Sequence, residues 1–186
     1  MNPNKPEQTS AKTGRPTKRW LRWYDLLILA TVIITAHYWQ TRDSLNTSGT
    51  LIAPSFTLPT LDGAIIDTTQ QVNVPTVFYF FAPWCSVCDW SIDNLNTLQN
   101  DIQANKINVY VVALDWRTKE EVESFMAERN LPVPVILGTQ QQTLDFQIKG
   151  FPTYYIADEN NVLRWASVGY SSGIGIQARL KLLDLM

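Results

Sequence analysis

A chain of 186 residues, 45% hydrophobic and 17% charged, has room for one domain of ordinary size plus an appendage and is too apolar for a disordered protein. Its net charge of −2 points to no nucleic-acid partner. The single histidine, His37, lies in the N-terminal segment, so the remainder has none for a Cys/His nucleophile pair, a zinc site or a histidine base.

The charge is unevenly placed. Lys5, Lys12, Arg15, Lys18, Arg19 and Arg22 are opposed near the N-terminus by Glu7 alone. Residues 1–19 show no apolar periodicity and read as a disordered basic tail on the cytoplasmic side. Residues 20–39 are mostly apolar, and twenty helical residues rise about 30 Å, the thickness of a bilayer's hydrocarbon core. Trp20, Trp23 and Tyr24 at one end, with Tyr38 and Trp39 at the other, suit interfacial aromatic belts. The expectation is an uncleaved, single-pass transmembrane signal anchor with the rest of the chain outside the cytoplasm. A cleaved signal peptide competes, because the central run 26–36 is short, but Ile34 stands where a cleavage site wants a small residue. A buried helix of a soluble protein is the third reading. Asp25 and His37 read as interfacial groups at the helix ends.

Residues 40–50 are polar and read as a linker, which leaves 51–186 as the folded domain. Ala53-Pro54-Ser55-Phe56-Thr57-Leu58 and the Asp62-Gly63 turn predict a short strand leading into a second near Ile65 and Ile66. The apolar run 77–81 predicts a buried central strand. A helix beginning at Cys85 carries Ile92, Leu95, Leu98 and Ile102 on one side. Residues 107–114 read as another buried strand, and 119–129 as an amphipathic helix with Val122, Phe125 and Met126 inward. A short strand at 134–137 and a short helix near 143–148 follow. Strands at 153–157 and 162–168 flank an Asp-Glu-Asn-Asn turn, and a helix with Ile176, Leu180 and Leu183 ends the chain. This order predicts an α/β fold, helices flanking a mixed central sheet.

Cys85 and Cys88 are the only cysteines, and both lie at the predicted strand-to-helix junction. The helix N-terminus favours a thiolate at Cys85, and residues three apart on a helix are neighbours, so Cys88 can attack a mixed disulfide formed there. The alternative is a structural crosslink. A ring this short restrains the unfolded chain by only about 2 kcal/mol, which favours redox exchange.

Phe81-Ala82-Pro83-Trp84-Cys85-Ser86-Val87-Cys88, Gly150-Phe151-Pro152-Thr153 and Gly169 resemble the motifs of the thioredoxin superfamily over nearly all of residues 51–186. The opening at Ala53 and the added strand and helix before Pro152 are similar to its membrane-anchored TlpA-like branch. That branch includes the cytochrome c maturation thiol reductants. The ending Val168-Gly169-Tyr170-Ser171-Ser172-Gly173 most resembles the copper-sensitivity suppressor D group. The resemblance implies a thioredoxin fold, a bacterial inner-membrane protein with its catalytic domain in the periplasm, and protein thiols and disulfides as substrates. It further implies a DsbD-type membrane electron donor and no cofactor beyond the Cys85–Cys88 disulfide. Cys85 is expected to be the exposed nucleophile and Cys88 the resolving thiol. Ser86 and Val87 are expected to tune the potential, with Trp84, Phe151 and a cis Pro152 contacting substrate. Trp116 reads either as part of the same apolar rim or as core.

One departure is chemical. Thioredoxin carries a buried aspartate six residues before its first cysteine, and here that position is Tyr79, a poor base at neutral pH. Asp115 and Asp89 are the carboxylates to consider in its stead, although an ordinary solvated role suits both. Reduction of periplasmic protein disulfides, keeping their thiols reduced, is the favoured direction, with net disulfide formation as the alternative. A peroxidase is disfavoured by Ala82, where the peroxiredoxin loop has threonine. A Cu(I)-binding module is disfavoured because no histidine or methionine cluster stands beside the dithiol. No metal site is expected.

Overall fold

The computed structural model describes residues 23–41, 51–70, 73–183 and 185. The first helix, α1 (Trp23–Thr41), has exposed side chains from residue 23 to residue 35. Thr31 and Thr35 return their hydroxyls to main-chain carbonyls three and four residues back, which spares those groups any need for water. Among the described residues no helix is long and apolar enough to cross a membrane, and residues 20–22 of the expected crossing over 20–39 lie outside them. The physical reason lies in the polar ends of the helix. The apolar run 26–36 rises only about 16 Å, and Asp25, His37, Gln40 and Thr41 are all within the helix. The helix also continues through residues 40 and 41, where the linker was expected to begin. The basic tail, Trp20 and the linker residues 42–50 lie outside the described residues.

Residues 51–185 build a five-stranded sheet in the order β5-β4-β3-β6-β7. Its strands are β3 (Thr76–Phe81), β4 (Asn108–Ala113), β5 (Val135–Leu137), β6 (Thr153–Ala157) and β7 (Leu163–Val168). β3, β4 and β5 run parallel, while β6 and β7 are antiparallel to their neighbours, so the sheet is mixed as expected. Every residue of β3 is buried, as its unbroken apolar run predicted for a strand covered on both faces. A small antiparallel pair, β1 (Thr57–Pro59) and β2 (Ile65–Asp67), reaches the β5 edge through the Leu61 amide, which donates to the Val135 carbonyl at 2.7 Å.

Alternation along β3 divides the core in two. Val77, Tyr79 and Phe81 face a cluster with Cys88, Ile92, Leu95, Leu98, Tyr154 and Ile176. Phe78 and Phe80 face the other side, against Phe56, Phe146 and Tyr155. The first face is covered by α2 (Ser86–Ser91), a 3-10 segment (Ile92–Leu98) and α3 (Gln99–Gln103), together with α4 (Lys119–Met126) and α6 (Gly173–Leu183). The helix α5 (Gln140–Asp145) leads into Phe146 on the second face. The long helix expected from Cys85 is therefore three pieces. Ile92, Leu95 and Leu98 recur every third residue, the period of a 3-10 helix, and all three are fully buried. α5 begins earlier than expected because Thr139 and Gln142 form a capping box ahead of it.

Candidate functional site around the Cys85–Cys88 disulfide

The parallel strands all end at one rim of the sheet. β3 delivers Ala82 to Cys85 there, β4 delivers Asp115 and Trp116, and β5 delivers Gly138 and Thr139. β6 runs the other way and begins at Thr153, so Pro152 arrives at the same rim. This convergence brings the sequence-predicted residues together, although Trp84 and Pro152 are 68 positions apart.

Cys85 is the N-cap of α2, and its Sγ accepts the Cys88 amide at 3.1 Å. The two cysteines are disulfide-bonded, with Cα atoms 5.2 Å apart. Cys85 keeps 7% of its surface and Cys88 none. The expected exposed nucleophile is thus nearly buried while it is bonded to Cys88, yet it is the only residue of the pair with any exposed surface. Ser86 and Val87 are exposed on the first turn of α2.

Trp84 projects into solvent at 64% exposure, and hydrogen bonds aim its ring. The indole Nε1 donates to the Asp115 carboxylate at 3.0 Å and to its carbonyl at 3.2 Å. Asp115 holds φ at 50°, a left-handed conformation that aspartate tolerates better than most residues. Trp84 meets Phe151 edge to face, with ring centroids 5.8 Å apart. The Phe151–Pro152 peptide is cis, and Pro152 is buried. Trp84, Phe151 and Asp115 open onto a cleft of about 680 Å³, walled further by Trp116, Thr139 and Thr143. Trp116 serves both roles considered for it. It lines the cleft, it packs half-buried against the core, and its Nε1 donates to the Gly138 carbonyl at 2.9 Å.

Neither carboxylate proposed as a substitute for the missing aspartate is free. Asp115 is engaged by Trp84, and Asp89 is paired with Arg129. Arg129 lies over the Phe125 ring, 4.2 Å from its centroid, and its side chain is only 16% exposed. Sequence reading missed Arg129, since it lies 40 residues from Asp89 and beyond the end of α4. Beneath Cys88, Tyr79 Oη and Ser91 Oγ stand 3.1 Å apart, and both donate to the Cys88 carbonyl, at 3.5 and 3.4 Å. Burial pushes the Tyr79 hydroxyl well above the usual phenol range and pushes Tyr154 up to about 12, so both stay protonated and uncharged. Among the described residues no three His, Cys, Asp or Glu side chains are grouped to hold a metal ion.

Residues 51–166 match the AhpC/TSA family. The chain belongs to that family. It is 27% identical over 132 residues to the thioredoxin-like protein YneN of Bacillus subtilis (strain 168), covering 70% of this chain and 77% of that one. A thiol:disulfide interchange protein of the thioredoxin family from Chlorobium tepidum TLS superposes with a TM-score of 0.64 at 22% identity, over 71% of this chain and 94% of its own. The pneumococcal exposed lipoprotein thioredoxin Etrx1 of Streptococcus pneumoniae strain TIGR4 does so at 0.62 and 17%, over 69% and 99%. The fold is thioredoxin-like. With a Cys-x-x-Cys disulfide at the rim of that fold, the chain has the reacting pair of a protein thiol–disulfide oxidoreductase.

Proposed function

We propose that this chain reduces disulfides in exported proteins, working at the periplasmic side of a bacterial inner membrane. The observation that carries the reading is the inequality of the two cysteines, Cys85 with a little exposed surface and Cys88 with none, next to Trp84 and the cleft that it shares with Phe151. Reduced Cys85 attacks the substrate disulfide and forms a mixed disulfide, expelling one substrate thiolate. Cys88 then attacks Cys85 Sγ, the protein disulfide closes, and the second substrate thiolate leaves. Both electrons pass to the substrate, and the protein pair is oxidised. Trp84 and Phe151 give the substrate segment an apolar seat, and Ser86 and Val87 tune the potential. About 30 mV is a tenfold change for such a couple.

In an oxidising compartment the pair needs an electron supply, and a DsbD-type transmembrane thiol reductant fits that need. Membrane attachment through α1 is supported by its exposed large apolar side chains, from Leu26 to Leu29 and from Val32 to Ile34. That surface, apolar around the whole helix, supports insertion into lipid. The pneumococcal relative Etrx1 is an exposed lipoprotein, in keeping with a location outside the cytoplasm. Within the TlpA-like branch, the copper-sensitivity suppressor D group is the favoured place, on the residues from Val168 to Gly173 noted above.

Cys88→Ser in cells tests the reading. Mixed disulfides between Cys85 and exported proteins are expected on non-reducing gels, and they should vanish in the Cys85→Ser/Cys88→Ser double variant. No adducts in Cys88→Ser, together with unchanged activity in Cys85→Ser, would overturn it.

A further inference from the structure

Closing the protein disulfide requires Cys88 to lose a proton, yet Cys88 is fully buried, and among the described residues the two nearby candidate carboxylates, Asp89 and Asp115, are already engaged. The same step occurs behind a wall of hydroxyls. Tyr79 on β3 is paired in register with Tyr154 on β6, their ring centroids 4.6 Å apart, and Tyr154 is paired in register with Ser167 on β7. Residues in register on neighbouring strands lie on one face, so the three hydroxyl-bearing side chains share one row across the sheet, with Tyr79 directly under the dithiol helix. Ser91 joins this row from above, bonded to Tyr79. At the far end Ser171 donates to Ser167 at 3.2 Å, and the preceding residue, Tyr170, is 57% exposed. On the other side of Tyr79 the row is apolar, with Val111 and Val135. The polar stretch therefore starts under Cys88 and runs outward in one direction only.

Tyr154 supplies a second, independent observation. It is 2% exposed, and its Oη has no hydrogen-bond partner among the described residues, although Ser91 and Tyr79 both lie near it. A buried, uncommitted hydroxyl costs stability, so its retention beside the reacting pair calls for a reason.

We infer that Tyr79, Ser91 and Tyr154 form a carboxylate-free proton relay for Cys88, with Ser167 and Ser171 carrying the path toward the surface. This inference rests on the oxidoreductase reading above. In the closing step the Cys88–H bond breaks and its sulfur bonds to Cys85. The substrate sulfur leaves with the electron pair of the broken disulfide, and the Cys88 proton passes along the hydroxyls to solvent. Each hydroxyl accepts one proton as it gives up its own, so none needs to hold a charge at rest. The charged and titratable groups that face this path are Asp89 and Arg129, which pair with each other, and Tyr170 beside Tyr154.

The test is the pH profile of ring closure in the full chain, with glutathione disulfide as oxidant of the reduced protein. At high oxidant the observed rate reaches a plateau set by Cys88, while the initial slope reports attack by Cys85. Tyr79→Phe and Tyr154→Phe keep the rings and remove only the hydroxyls. Each is expected to lower the plateau rate about fivefold at pH 6 and to converge with the parent by pH 9, where hydroxide takes the proton directly. The initial slope should be unchanged. Ser91→Ala provides the same reading should a tyrosine variant fail to fold. Superimposable pH profiles in the Tyr79→Phe/Tyr154→Phe double variant would overturn the relay, as would a loss of equal size at every pH. Failure of the parent itself to close a ring would instead sink the oxidoreductase reading, so the two failures are distinguishable.

Discussion

Arg129→Gln is the most informative single change outside the dithiol. Asp89 stands four residues after Cys85 on the same helix, and its amide donates to the Cys85 carbonyl at 3.1 Å. Arg129 neutralises that carboxylate from a largely enclosed position. Residues four apart on a helix are about 5–6 Å apart at Cβ, which puts a Cys85 thiolate roughly 7 Å from the Asp89 charge. At an effective dielectric of about 40, between the surface-pair and bulk-water values, two like charges at that distance repel by about 1.2 kcal/mol. Without the arginine this repulsion is uncompensated, and below its midpoint the thiolate population of Cys85 falls about eightfold. The assay is the rate of iodoacetamide alkylation of the reduced protein between pH 5 and 7. Arg129→Gln should react about eightfold more slowly, and Arg129→Gln/Asp89→Asn should recover to within about twofold of the parent, because the offending charge has gone as well. The recovery separates electrostatics from the packing that Arg129 gives to Phe125. Equal rates in Arg129→Gln and the parent, or no recovery in the double variant, would refute the reasoning.

Alkaline stability carries the signature of the buried phenols. Tyr154, pushed up to about 12 by burial, titrates near 10 once unfolded, so its contribution is whole below pH 10 and is lost as pH rises from about 10 to about 12. Urea midpoints should fall over that window less steeply in Tyr154→Phe than in the parent. Gly138→Ala would put a methyl 2.6 Å from Leu114 Cδ2 and Val112 Cγ1 and 3.0 Å from the Ala113 carbonyl, and should cost about 1–3 kcal/mol in urea unfolding. Trp84→Phe keeps the edge contact with Phe151 but drops the bond to Asp115, so KM for a peptide disulfide should rise about fivefold with kcat little changed. Peroxide consumption should be no faster than that of free thiols, since Ala82 offers a buried methyl and no hydroxyl to a bound peroxide.

The strands of this fold were legible because their signals are local. The unbroken run at β3, the Asp-Glu-Asn-Asn turn before β7 and the apolar spacing of α4 each declare themselves within a dozen residues. The dithiol and the Gly150-Phe151-Pro152-Thr153 loop were legible as motifs, but their convergence on one rim is a property of strand order. The hidden features are those that depend on distant pairing. Nothing near Trp84 announces Asp115, nothing near Asp89 announces Arg129, and the row from Tyr79 through Tyr154 to Ser167 exists only once three strands are in register. The segment 20–39 is a separate case: its aromatic flanks and apolar centre are legible in the sequence, while the described part of its helix, from Trp23 on, is not long and apolar enough to cross a membrane.

The sheet also has an opposite rim, where β3 and β4 begin and β6 ends. The loop through Asn105 lies there, a six-residue strand away from the sulfurs, or about 20 Å. A fluorescent reporter or an immobilising tag spliced at that loop would leave electron transfer untouched, which offers a practical handle for following the protein in single-molecule or surface-bound experiments.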